Sequence, residues 1–185
     1  MRVVSTYSHK NGKQFIGEHF QPELAEVYEV IQKIDASKAI TKVSKEKTMP
    51  GRNLYAPIQL NRLFKEEFND IGWRNSKINV GTSVSLPGGK TLTHRGFRDM
   101  DFVRHRLGVE VQFGKYAFMV YNVSAKMTIF NKQGIIDAGI EIVPMKEMAD
   151  RMSTGVSFFE QFKTDLEMRG SADIDIPVLI VGIVE

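Results

Sequence analysis

The run Pro177-Val-Leu-Ile-Val-Gly-Ile-Val184 limits the fold more than any other stretch, because it is apolar at every position. A strand can be apolar throughout only where both of its faces are covered, as in a parallel or mixed sheet with helices on each side. The run is far shorter than the roughly 18 residues a membrane helix requires. Helices that could cover such a strand are legible elsewhere. Between Pro22 and Ile34, the apolar residues Leu24, Val27, Tyr28, Ile31 and Ile34 recur at helical spacing, with Glu23, Glu26 and Glu29 early and Lys33 late, as the helix dipole favours. Pro57 opens a second helix with Leu60, Leu63, Phe64 and Phe68 on one face, stopping near Gly72. Phe158, Phe159, Phe162 and Leu166 mark a third over Ser157 to Met168, ended by Gly170.

Strands are expected at Met1 to Tyr7, Leu107 to Phe113 and Ile135 to Val143, and Asn11-Gly12 signals a turn. Ser37 to Gly51 is polar, basic and closed by Pro50-Gly51, so it reads as a loop or a short helix within a loop. Arg74 to Gly96, rich in Ser and Thr and containing Pro87-Gly88-Gly89, reads as a loop or hairpin. Trp73, the single tryptophan, reads as a core anchor. Nothing marks a linker or repeat. The expectation is one domain over residues 1–185, of α/β class, with a mixed central β-sheet flanked by helices.

Cysteine is absent, which removes disulfides, thiolate metal sites and a cysteine nucleophile together. The first residues, Met-Arg-Val-Val-Ser-Thr-Tyr-Ser-His-Lys, contain no apolar secretory core, so the expected location is cytoplasmic. No pair among His9, His19, His94 and His105 has the four-residue helical spacing of a zinc site, and Pro87-Gly88-Gly89-Lys90 lacks the pattern of a nucleotide-binding loop. The formal charge of +3 is modest, but it is unevenly spread. Lys33 to Arg52 holds six basic residues against two acidic ones, and Lys90 to Arg106 holds five against two. Such stretches are often plain solvated surface. Here the second runs directly into a carboxylate cluster, an arrangement suited to delivering a polyanion to a metal site.

That cluster lies in Asp101-Phe-Val-Arg-His-Arg-Leu-Gly-Val-Glu-Val-Gln-Phe-Gly-Lys-Tyr116. Leu107, Val109, Val111 and Phe113 alternate with Gly108, Glu110 and Gln112, the period of a strand with one buried face. Glu110 and Gln112 then point the same way. If the chain turns around Arg104 to Arg106, Asp101 reaches that face from the neighbouring strand. Two carboxylates and an amide would converge, a set of hard oxygen donors of the kind that holds Mg²⁺. Spacing alone also fits the solvated face of an ordinary strand.

The wording is more specific than the spacing. Asp-Phe-x-x-x-Arg-x-x-Val-Glu-Val-Gln-Phe-x-x-Tyr closely resembles the BglII/BstYI family of type II restriction endonucleases, the BstYI branch more than the other, within the PD-(D/E)xK nucleases. Tyr7-Ser8-His9, Ser44 to Thr48, Gly72-Trp73, Pro144 to Glu147, Met152 to Gly155 and Val181-Gly182-Ile183 extend the resemblance over nearly the whole chain.

The resemblance implies a restriction-endonuclease-like fold, with a helix over Tyr116 to Phe130 where composition by itself favours strand. It further implies that Asp101, Glu110 and the Val111 carbonyl hold Mg²⁺ beside the scissile phosphate, where a water attacks in line. Gln112 stands where most relatives carry lysine. An amide cannot accept a proton at useful pH, so Gln112 would orient water or a phosphate oxygen. Ser76 would sit near this site, where some distant relatives supply a further carboxylate. Lys115, the Gly114 backbone, Ser153 and Thr154 would contact base edges, and Lys45, Lys47 and Arg52 would contact phosphates. The expected activity is Mg²⁺-dependent cleavage of double-stranded DNA by a homodimer. Its site would be a palindrome with a GATC core, of the purine-GATC-pyrimidine kind, cut to 5′-staggered ends, with a cognate methyltransferase as a possible companion. The rival readings are a structure- or damage-directed nuclease of the same fold and a DNA-binding protein without catalysis.

Overall fold

The computed structural model describes residues 1–185. Strands β1 (Arg2–His9), β4 (Arg74–Ser85), β5 (Thr91–Arg104), β6 (Leu107–Val111), β7 (Ala138–Pro144) and β8 (Val178–Val184) form one sheet, in the spatial order β1-β8-β7-β6-β5-β4. β6, β7 and β8 run parallel, while β1, β5 and β4 pair antiparallel with their neighbours. The sheet is therefore mixed, as the sequence implied. β2 (Ile40–Val43) and β3 (Asn53–Tyr55) form a separate two-stranded ribbon.

Every residue of β6, β7 and β8 is buried, because helices lie on both faces. On the first face Leu107, Val109, Ile140, Ile142, Leu179 and Val181 pack with Val27 and Ile31 of α2 (Gln21–Lys33) and with Phe64 and Phe68 of α3 (Pro57–Asp70). Trp73 is buried there and donates its indole N–H to Glu26 at 2.8 Å. On the second face Val143, Val178 and Ile180 meet two crossover helices. One contributes Met119, Val123, Met127 and Phe130; the other, α6 (Phe159–Arg169), contributes Phe159, Phe162 and Leu166. The first of these is continuous in backbone conformation: α4 (Tyr116–Tyr121), a π turn over Asn122–Lys126, and α5 (Met127–Lys132). It approaches the sheet closely, since a Cβ at Gly139 would collide with the Met127 sulfur.

Several local expectations need correction. Gly12–His19 is a helix, α1, directly after the Asn11 turn, which has left-handed backbone. Ser37 to Gly51 contains the end of a 3₁₀ turn at Ala36–Ala39 and all of β2, so only its second half is loop. Arg74 to Gly96 needs none, since of its two readings, loop or hairpin, it is hairpin: the larger part of β4–β5, turning at Pro87-Gly88-Gly89. Most consequentially, β6 does not have one buried face. Glu110 is only 2% exposed, because α4, the π turn and α5 cover the side of the strand that its Gly-Glu pattern suggested was wet.

The same cover encloses Glu141, which pairs in register with Glu110 and is 0% exposed. Asn122 donates to its Oε1 at 3.1 Å, and its Oε2 has no partner. Burial, reinforced by the Glu110 charge, pushes its carboxyl well above the usual range. Below that range both folded and unfolded chains are protonated at this position and nothing is lost. As pH rises through it, the unfolded chain ionises while the fold retains its proton, so stability falls. Glu141→Gln, a mimic of the neutral acid, is therefore expected to be more stable than wild type by a margin that grows with pH. The gain should be at most about 1.4 kcal/mol per pH unit in urea unfolding between about pH 5 and 7. A constant difference would mean that Glu141 is charged in the folded state.

Candidate active site

β5 and β6 are joined by only two residues, His105 and Arg106, both with positive φ (45° and 73°). That conformation suits a tight hairpin but normally selects Asn or Gly. Side-chain contacts hold it here. Arg106 forms an ion pair with Asp137, the Asp137 N–H donates to the Arg106 carbonyl at 2.7 Å, and His105 Nδ1 lies 2.7 Å from Glu23. The pairings Arg104 with Leu107, Val103 with Gly108 and Phe102 with Val109 then follow. One step further in the same register, Asp101 stands opposite Glu110.

Each carboxyl group reaches the backbone of the opposite strand. Asp101 Oδ2 accepts from the Val111 N–H at 3.0 Å, and Glu110 Oε1 lies 3.4 Å from the Asp101 N–H. They line a cleft of about 420 Å³ that also includes Gln112, Asn75, Tyr121 and Lys126. Gln112 extends the β6–β7 ladder through its N–H to Ile142. Its amide lies over the Gly114 backbone, so a Cβ at that position would meet it at 2.8 Å. Asp101, Glu110 and Gln112 are thus brought together as expected. Ser76 is not part of this wall: it pairs with Met100, and the adjacent Asn75 faces the cleft, 3.2 Å from Asp99.

Lys126 was not foreseen. Its Nζ lies 2.7 Å from Glu110 Oε1, with the lysine side chain 12% exposed. Asn122 and Lys126, at the two ends of the π turn, thereby hold the two neighbouring glutamates of β7 and β6. A helical i, i+4 pair of one amide and one ammonium was the available sequence signal, and a glutamate inside the apolar run Ala138 to Pro144 was another. The electrostatics reflect this crowding. Burial and then the Asp101 charge push Glu110 upward, opposed by Lys126. Asp101 remains open to solvent at the mouth, but the surrounding protein raises its carboxyl too, against the Val111 hydrogen bond.

The donor set suits a small hard cation held by few protein ligands. Two carboxylates converge, both oxygen donors, and the Lys126 ammonium already stands against one of them as a cation would. The Tyr121 hydroxyl, on the same wall, has no protein partner. No group of three or more His, Cys, Asp or Glu side chains is arranged to cage a metal by itself. That leaves room for water and substrate oxygens, as Mg²⁺ prefers.

The other expected residues gather elsewhere. Gly114, Lys115, Ser153 and Thr154 line one groove beside the β2–β3 ribbon, and Arg52 joins Ser153 and Thr154 in the adjoining one. Lys45 and Lys47 are exposed on the same β2–β3 loop. That loop also carries Glu46, which lies in the Ser44 to Thr48 segment of the resemblance but was given no role by it. Its carboxylate accepts from the hydroxyls of both Ser153 and Thr154 at 2.5 Å. Among the histidines, His9 is buried against Asp175 at 3.0 Å and His105 is engaged by Glu23. No helix is long and apolar enough to cross a membrane.

Comparison with known proteins fits this geometry. A type II restriction enzyme, BglII of Bacillus subtilis, is 24% identical over 188 residues, a match covering 98% of this chain and 75% of the relative. The crystal structure of BglII complexed with a DNA 16-mer superposes with a TM-score of 0.74 at 19% identity, covering 100% of this chain and 77% of that one. Free BglII gives 0.66 at 18% identity, covering 100% and 80%. These similarities support the restriction-endonuclease-like fold, and nothing in them favours the BstYI branch in particular. The family model for restriction endonuclease BglII/BglIII matches residues 4–183, and the chain belongs to that family.

Proposed function

We propose that this protein is a type II restriction endonuclease that hydrolyses phosphodiester bonds of double-stranded DNA at a palindrome with a GATC core, leaving 5′-staggered ends. The observation that carries the reading is the facing pair Asp101 and Glu110, with Gln112 beside them, in a chain of restriction-endonuclease family. Asp101, Glu110 and the Val111 carbonyl would hold Mg²⁺. When bound, the ion supplies Lewis acidity at the scissile phosphate and offsets charge on the leaving oxygen.

The chain's own residues do the rest. Lys126 favours the ionised form of Glu110, countering the burial that would keep it protonated. Gln112 presents both an N–H donor and a carbonyl acceptor at the cleft, so it can hold a water between itself and a phosphate oxygen without taking a proton. Proton uptake falls to solvent or substrate. A palindrome presents two equivalent phosphates about its dyad, which calls for two copies of the site and hence a homodimer. Lys45, Lys47 and Arg52 would supply phosphate contacts. Gly114, Lys115, Ser153 and Thr154 would supply base contacts with a relaxed purine-pyrimidine outer pair. A methyltransferase acting on the same site would protect the host DNA. That BglII was crystallised with DNA supports the choice of substrate.

Digestion of plasmid in Mg²⁺ tests the reading: discrete bands whose ends map to GATC are expected, and a smear or uncut plasmid would refute it. Asp101→Ala and Glu110→Ala should each lower cleavage at least about a hundredfold while leaving specific DNA binding within a few fold, since they act on phosphate and not on bases. Ca²⁺ in place of Mg²⁺ should permit binding without turnover. Lys45→Ala combined with Lys47→Ala should flatten the dependence of log affinity on log salt by up to about two units. An unchanged slope in a filter-binding titration would remove both lysines from the phosphate contacts.

A further inference from the structure

The contact between Glu46 and the Ser153-Thr154 loop joins residues more than a hundred positions apart and uses both carboxylate oxygens. Oε1 accepts from the Ser153 hydroxyl at 2.5 Å, and Oε2 accepts from the Thr154 hydroxyl at 2.5 Å and the Thr154 N–H at 2.9 Å. Lys42 Nζ lies 3.6 Å from Oε1. These bonds hold the Glu46 carboxyl down to about 2, so it is ionised at any working pH. An ionised carboxylate has no proton to donate. Each hydroxyl has one, and both protons are committed to Glu46. Thr48 Oγ1, 3.2 Å from Thr154 Oγ1, must then be the donor in that pair, leaving Thr154 one free lone pair and Ser153 two.

A hydroxyl free to rotate can meet a base-edge donor or an acceptor equally well. One whose proton is committed can only accept. In the major groove the donors are the exocyclic amino groups, adenine N6 and cytosine N4, whereas guanine O6 and thymine O4 are acceptors. We infer that Glu46 is a specificity-determining residue, which fixes the Ser153 and Thr154 hydroxyls as acceptors so that this loop reads exocyclic amino groups. It is a positioning residue, acting through hydroxyls that it orients, and the inference rests on the DNA-cleaving function proposed above. Every base pair has one such amino group, on adenine in A·T and on cytosine in G·C. An acceptor held beside one base of a pair therefore admits adenine or cytosine there and disfavours guanine or thymine, whose carbonyl oxygens would face it.

The test uses duplexes from which the exocyclic amino groups of the site are deleted one at a time, by substituting purine for adenine and pyrimidinone for cytosine. Wild type should lose about tenfold or more in cleavage rate at one or more of these positions. In Glu46→Gln the side-chain amide donates as well as accepts, so one hydroxyl regains a free proton. The penalty for deleting that amino group should then shrink several fold relative to the intact duplex. A role confined to loop stability would slow every duplex alike and leave the penalty ratio unchanged, which would overturn the inference. So would a wild-type enzyme indifferent to every amino deletion, a result that needs no variant to fold. If wild type cuts the unmodified GATC duplex no better than a scrambled one, the parent reading fails first, and that control separates the two failures.

Discussion

The two-residue turn at His105-Arg106 decides where the chemistry can be. Side chains in a strand alternate faces, so a slip of one residue between β5 and β6 would carry Asp101 to the opposite side of the sheet from Glu110. The turn has no residue that favours its left-handed backbone, and it is held from outside by Asp137 and Glu23. Contacts to the β7 approach and to α2 thus fix the register that creates the carboxylate pair. A local distortion is stabilised by elements that take no part in the cleft.

The face on which the pair sits is unusual for charged groups. Glu110 and Glu141 lie side by side on parallel strands, both shielded by one helix, where ionisation of an isolated carboxylate would be costly. The π turn at Asn122–Lys126 answers this with an amide for one and an ammonium for the other. π turns often occur at functional sites because they redirect side chains that a regular helix would space differently. The consequence is a division of setting: burial favours the neutral form of Glu141, whereas Glu110, at the cleft, has a cation beside it.

The carboxylate cleft and the candidate recognition loops are placed on different supports. The cleft is built on β5 and β6 within the sheet, while Ser153 and Thr154 lie on a loop clasped by the β2–β3 ribbon through Glu46. Loops can vary without disturbing the strands that carry the carboxylates.

Sequence alone determined the elements whose periodicity is local. The apolar run at Pro177–Val184 required two-sided cover, the spacing of Leu60, Phe64 and Phe68 gave a helix, and Asp101, Glu110 and Gln112 stood out by residue type and by their resemblance to a nuclease family. Only tertiary structure decided that Glu110 is buried, since the Gly108-Val109-Glu110 pattern is the same whether a helix or water covers that face. It likewise decided that Lys126 meets Glu110 and that Glu46 commits the hydroxyls of Ser153 and Thr154. Those contacts join residues far apart in the chain, and no local spacing encodes a distance that the packing of whole elements sets.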